Sequence, residues 1–206
     1  MVSSLASLSP GSTDHESMVD GQQSAVGRRQ AIVLYTIGHS TRSLDAFVGL
    51  LEAHGVTQLA DIRTVPRSRR HPHFVREALA DSMSHSGIVY RHFPGLGGLR
   101  KPRRDSRNTA WRHSGFRGYA DYMESAEFER ALGDLLEFAA AQPTGRTAIM
   151  CAEAVWWRCH RQLVADALVA RGVEVRHITS EAAAPPHALT EFAQVVDGKV
   201  TYPGLV

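Results

Sequence analysis

Five short apolar runs rich in β-branched residues recur along this chain, each separated from the next by at least a helix's length of residues. That alternation constrains the fold more than any other feature. The runs are residues 32–37 (IVLYTI), 56–62 (VTQLADI), 88–93 (IVYRHF), 147–151 (TAIMC) and 173–178 (VEVRHI). Each has strand length, and apolar runs of this kind suit strands buried on both faces. After the first, Thr41 or Ser43 can cap a helix with Leu44, Phe47, Val48 and Leu51 on one face, and Gly55 ends it. Pro66 then breaks the chain, and residues 74–84 read as helical. Residues 119–140 hold one or two helices with a break at Ser125, and 162–170 hold another. Residues 182–186 read as a linker and 187–195 as a short helix. Asp197-Gly198 is the turn of a terminal hairpin. The expected fold is α/β: a single three-layer domain over residues 31–206, with a mainly parallel five-stranded sheet, helices on both faces and a C-terminal β-hairpin.

Residues 1–30 lack a basic start followed by an apolar core, and their Ser, Gly, Asp and Gln content reads as a disordered tail. No apolar run approaches the roughly 20 residues of a membrane span, so no membrane partner is expected. Two cysteines with no secretory signal suggest a reducing, cytoplasmic setting. Net charge is +2, yet residues 63–117 hold thirteen Lys and Arg against three acids. That basic third suggests a face for nucleic acid or a phosphorylated small molecule. A solvated surface without a partner has the same composition.

The densest chemistry lies in residues 150–161, MCAEAVWWRCHR, between the fourth strand and the next helix. Ligands of open α/β sheets bind at the carboxyl ends of strands. Four segments should meet there: Gly38-His39-Ser40, Asp61-Ile62-Arg63, the glycine-rich 95–98, and the cysteine loop. Glu153 and Asp61 are candidate acid, base or nucleophile, with His39 as helper. Asp61 can equally form a structural ion pair with Arg63 or Arg161. Ser40 can hold an anion or simply cap a helix. Gly97 and Gly98 allow close backbone approach, although the spacing is not that of a phosphate-binding P-loop. Arg67 and Arg100 belong to the basic segments, and Trp111 and Trp156 either offer stacking surfaces beside cations or dock their loops onto the core.

Cys159 lies near a helix start beside Arg158, His160 and Arg161, conditions that favour a thiolate. Cys151, eight residues earlier, could be its redox or disulfide partner, or both could be small residues in a tight turn. Metal binding by the cysteines with His160 and His39 is a further option, but the paired-cysteine spacing of zinc sites is missing. No metal and no cofactor is expected. A cysteine-phosphatase loop would place an arginine where Trp157 stands, so that plan fits poorly.

Taken together, Thr36-Ile37-Gly38-His39-Ser40, Asp61-Ile62-Arg63 with Pro66 and Ser68, Leu96-Gly97-Gly98, Cys151-Ala152-Glu153 and Cys159-His160-Arg161 resemble the DUF488 family in identity and order. The resemblance spans about residues 34–180 and implies an α/β domain with these motifs around one site, without implying a reaction. The leading functional expectation is an enzyme on nucleic acid or nucleotide, hydrolytic, with N-glycosidic cleavage favoured over phosphoester cleavage. A cysteine-dependent sulfur or redox enzyme is the alternative, and a non-catalytic nucleic-acid-binding module the third.

Overall fold

The structure, a computed structural model, describes residues 32–204; the N-terminal tail expected over residues 1–30 lies outside them. Five parallel strands form one sheet in the order β3-β2-β4-β1-β5. They are β1 (Val33–Gly38), β2 (Val56–Asp61), β3 (Val89–His92), β4 (Arg146–Cys151) and β5 (Glu174–His177). The helices are α1 (Leu44–Ala53), α2 (Arg76–His85), α3 (Ser114–Met123), α4 (Ala126–Ala140) and α5 (Arg161–Val169). A two-stranded antiparallel hairpin, β6 (Gln194–Val196) and β7 (Lys199–Thr201), follows.

Successive residues of a strand face opposite sides, so each buried strand feeds two cores. Tyr35, Ile37, Leu59, Ala148 and Met150 meet Phe47 and Leu51 of α1 and Leu79 and Met83 of α2. Leu34, Ala60, Ile149 and Val175 meet Tyr119, Phe128 and Leu132 of α3 and α4 and Leu163 and Leu168 of α5. The result is the three-layer α/β domain with a terminal hairpin. Local signals set the helix ends. Ser43 Oγ accepts from Ala46 N at 3.2 Å, and Ser125 Oγ accepts from Phe128 N at 3.2 Å, which makes Ser125 the break between α3 and α4. Gly55 after α1 has φ +62°, a conformation other residues resist.

Residues 187–195 do not form the expected helix. Their donors are taken by distant partners: His187 N donates to the Val175 carbonyl at 2.7 Å, and Thr190 N to Asp166 Oδ1 at 2.9 Å. Tertiary bonds outcompete the helical ones.

The strand order locates the cleft. β1 runs into α1 on one face, and its neighbour β4 runs into α5 on the other. Chains diverging from adjacent strand ends leave a crevice, the topological switch point of open sheets. The pairing Gly38↔Cys151 continues past the strands as His39 N to Cys151 O at 3.0 Å and Ser40 N to Ala152 O at 2.9 Å. A Cβ on Gly38 would overlap the Glu153 carbonyl, so only glycine lets these two loops close together.

Candidate active site

Cys151 ends β4, and Cys159 follows a single 3₁₀ turn, Trp156–Arg158, two residues before α5. That turn folds the eight-residue separation back on itself. The two Sγ atoms lie 2.7 Å apart, as free thiols longer than a ~2.05 Å disulfide bond but in direct contact. Both are buried, at 2% and 8% exposure.

His160 has a defined role in this pair. Its Nε2 lies 3.2 Å from the Ile62 carbonyl, which can only accept, so Nε2 carries the proton. In the neutral ring Nδ1 is then a free acceptor, 3.5 Å from Cys159 Sγ. The imidazole is oriented to take the thiol proton.

Arg161 lies behind the thiols at 1% exposure. Its guanidinium donates to the Glu153 and Ala154 carbonyls, its Nε finds no partner, and it has no ion pair among the described residues. A buried cation without a carboxylate is costly. The two thiols are the acidic groups whose ionisation its field favours. The hydrogen bond from Cys151 holds the Cys159 thiol well below the ordinary range, with His160 and Arg161 adding to it against the effect of burial. Burial, then the bond to Cys159, pushes Cys151 well up. Of the two thiols, Cys159 is therefore the one more readily ionised.

Above them opens a cleft of about 720 Å³. Its walls include Ser40, Arg67, Gly98, Glu153, Arg158 and Tyr119, with both cysteines and His160. Ser40 reaches it in the left-handed region at φ +49°. Glu153 is exposed, its Oε1 3.3 Å from Val155 N. Arg67 and Arg158 are exposed, and their guanidiniums have no hydrogen-bond or ion-pair partner among the described residues.

Other expected site residues serve the scaffold. Asp61 is fully buried, with Arg63 Nε at 2.9 Å, Arg63 Nη2 at 2.5 Å and Tyr90 Oη at 2.7 Å on its carboxylate. Both oxygens are occupied, so of the two roles the sequence allowed, the ion pair is the one formed. Arg63 borders the cleft, yet its remaining nitrogen donates to the Phe74 carbonyl at 2.8 Å. His39 Nδ1 donates to the Ser40 carbonyl at 2.9 Å, its Nε2 faces Arg63, and its ring stacks on Phe74 at 4.2 Å. Burial lowers its pKa to about 4, so it stays neutral and tied down. Gly97 abuts Thr64 outside the cleft. Arg100 stacks over Tyr122 at 3.6 Å. Trp111 stacks on Phe116 at 4.8 Å and meets Tyr202 edge-on, and Trp156 stacks on His177 at 4.0 Å. Both rings face protein, not a ligand; Trp157 is the exposed one at 56%.

Sequence reasoning missed Tyr119, His71 and His113 on the cleft wall. It also missed a buried relay under Trp156. Thr36 Oγ1, His177, His187 and Asp166 are linked at 2.7, 2.9 and 2.8 Å. No local spacing signals these, because four separate segments supply them. Among the described residues no group of three His, Cys, Asp or Glu could hold a metal, and no helix is long and apolar enough to cross a membrane.

Fold and site define a three-layer α/β domain with a contacting cysteine pair at the carboxyl edge of a parallel sheet. Residues 43–168 match the family model described as "Domain of unknown function DUF488", and the chain belongs to that family. The match includes both cysteines, His160 and Arg161, and begins just after His39 and Ser40. No curated protein and no solved structure matches the chain.

Proposed function

We propose that the protein is a cysteine-dependent sulfur and redox enzyme, with Cys159 as nucleophile, His160 as proton acceptor and Cys151 as the resolving thiol. The observation that carries this is the 2.7 Å contact between two thiols on the floor of an open cleft. A thiolate, not a thiol, attacks, and buried Arg161 favours it electrostatically. Any sulfur bound to Cys159 would lie within reach of Cys151, which would displace it by forming a Cys151–Cys159 disulfide. Net chemistry is then a two-electron reduction, reset by an external dithiol. Such a cycle suits a reducing compartment such as the cytoplasm. Labelling the reduced protein with iodoacetamide at pH 7 should modify Cys159 first, and mild oxidation should give the intramolecular disulfide by mass. Slow labelling of both thiols together with no disulfide would overturn the reading.

A hydrolase acting on nucleic acid or nucleotide, by N-glycosidic cleavage, is the second reading. Glu153 favours it as the one carboxylate lining the cleft among the described residues, beside Arg158 and near the basic segment. With Asp61 neutralised, Glu153 would work without a second carboxylate, short of the usual pair. Glu153→Gln should then abolish base release from single-stranded DNA and leave salt-sensitive binding intact; full turnover in that variant would exclude it. Salt-sensitive binding with no product from the unaltered protein would leave a non-catalytic nucleic-acid-binding module.

A further inference from the structure

We propose that the species reduced at Cys159 is a small anionic disulfide, held by Arg67 and Arg158 at the cleft mouth. The proposal rests on the two-cysteine reading above and adds the substrate class. Three observations carry it.

The first is access. Both sulfurs are at least nine-tenths buried and are reached through a cleft of about 720 Å³. That volume accommodates a molecule of a few hundred daltons. A slender disulfide can lower one end to Cys159.

The second is charge. Arg67 and Arg158 both border the cleft without side-chain partners among the described residues, whereas Arg63, also bordering it, is neutralised by Asp61. Among the described residues Glu153 is the sole lining carboxylate, and it is exposed. Carboxylates on the ligand would make charge-assisted bonds to the free guanidiniums. A cationic disulfide would meet repulsion.

The third is the apolar lip. Val65 is 59% exposed and Leu99 is 89% exposed, and both line the cleft. Leu99 has φ +63°, a left-handed backbone that residues with a Cβ rarely adopt. The adjacent Gly98 is anchored by Thr64 Oγ1 donating to its carbonyl at 3.0 Å. A Cβ on Gly98 would lie 2.9 Å from His160 Nδ1, so the loop passes close over the base. Val65 and Leu99 thus offer apolar contact to a ligand's methylene groups within the same cleft.

The chemistry balances. Cys159 Sγ, having given its proton to His160, attacks one sulfur of the disulfide. The S–S bond breaks, and the departing thiolate takes the proton from His160. Cys151 then loses its proton to His160 and attacks Cys159 Sγ, and the second thiolate leaves with that proton. One substrate disulfide becomes two thiols, and the two cysteines become one disulfide. A dithiol such as dithiothreitol resets them.

The full-length reduced protein can be given three short disulfides that differ mainly in charge: 3,3′-dithiodipropionate (anionic), bis(2-hydroxyethyl) disulfide (neutral) and cystamine (cationic). Each rate is divided by that disulfide's rate with dithiothreitol, which removes intrinsic reactivity. At low salt the anionic compound should react at least about tenfold faster than the neutral one, and the cationic one slowest. The ratio should shrink in 0.5 M salt and in Arg158→Gln and Arg67→Gln. Three equal normalised rates would overturn the substrate class and leave the two-cysteine reading standing. No reduction of any of the three would overturn that reading, and the substrate class with it.

Discussion

Cys159 is set apart from an ordinary buried thiol by what faces it. Cys151 donates to it, His160 accepts from it, and Arg161 brings a buried positive charge. The Cys151→Ser variant should separate these influences. A hydroxyl replaces the thiol, no disulfide can form, and a mixed disulfide with the attacking compound should accumulate on Cys159, visible by intact mass. Arg161→Met tests the cation: the pH midpoint of Cys159 alkylation should rise, because the field that favours thiolate is gone. An unchanged midpoint would mean the neighbouring thiol and His160 suffice. At this scale the sequence was legible for residue type and loop, since Cys159-His160-Arg161 at a helix start already suggests a thiolate. It was silent on contact. The 3₁₀ turn at Trp156–Arg158 closes the gap, and Arg158, read from the sequence only as a cation beside Cys159, lines the cleft.

Elements place these residues, and two junctions matter most. The first is the close approach of the β1 and β4 ends. Gly38→Ala would drive a methyl into the Glu153 carbonyl and toward Arg161, whose Nη2 would lie 2.8 Å away. A loss of at least about 2 kcal/mol in urea unfolding is expected, together with slower thiol chemistry as the cysteine loop shifts. The second junction binds α5 to the chain after β5. Asp166 is fully buried and accepts from His187 at 2.8 Å, from Thr190 N at 2.9 Å and Oγ1 at 2.7 Å, and from Tyr202 Oη at 2.8 Å. Asp166→Ala would strand four donors in the interior, and a loss of about 3–5 kcal/mol is expected; a loss under ~1 kcal/mol would show that water replaces the carboxylate. The strands were readable because two-face burial writes continuous apolar runs. The segment 187–195 was not, because its geometry is dictated by Asp166 and Val175, and local propensity carries no trace of partners so far along the chain. For Trp111 the sequence leaves two roles open, a ligand surface beside basic neighbours or an anchor for its loop, and the ring packs against Tyr202 and Phe192.

The whole molecule carries a pH dependence written by its buried histidines. With both rings neutral, the relay from Asp166 runs in one direction. Asp166 only accepts, so His187 Nε2 donates to it, His177 Nε2 donates to His187 Nδ1, and Thr36 donates to His177 Nδ1. Both rings are neutral in this pattern, and a proton on His177 would break it. Burial first, then the nearby His187 and Arg161, lower the His177 pKa to about 3, while burial holds His39 at about 4. Unfolding returns each to the ordinary value of about 6.5. Between the folded and unfolded values the unfolded chain binds more protons, so the stability these two contribute is complete above pH ~6.5 and declines as pH falls. The decline from His39 ends near pH 4 and that from His177 near pH 3. With allowance for partial solvent access, each accounts for about 1 kcal/mol per pH unit in its window. Urea midpoints should therefore drop steadily from pH 6 to 4.5. His177→Gln should flatten part of that slope, provided its amide keeps the bonds to Thr36 and His187. A midpoint independent of pH from 7 to 4.5 would mean that these rings already titrate in the folded protein. The relay would then be a route for protons and not a fixed set of bonds beneath the cysteine loop.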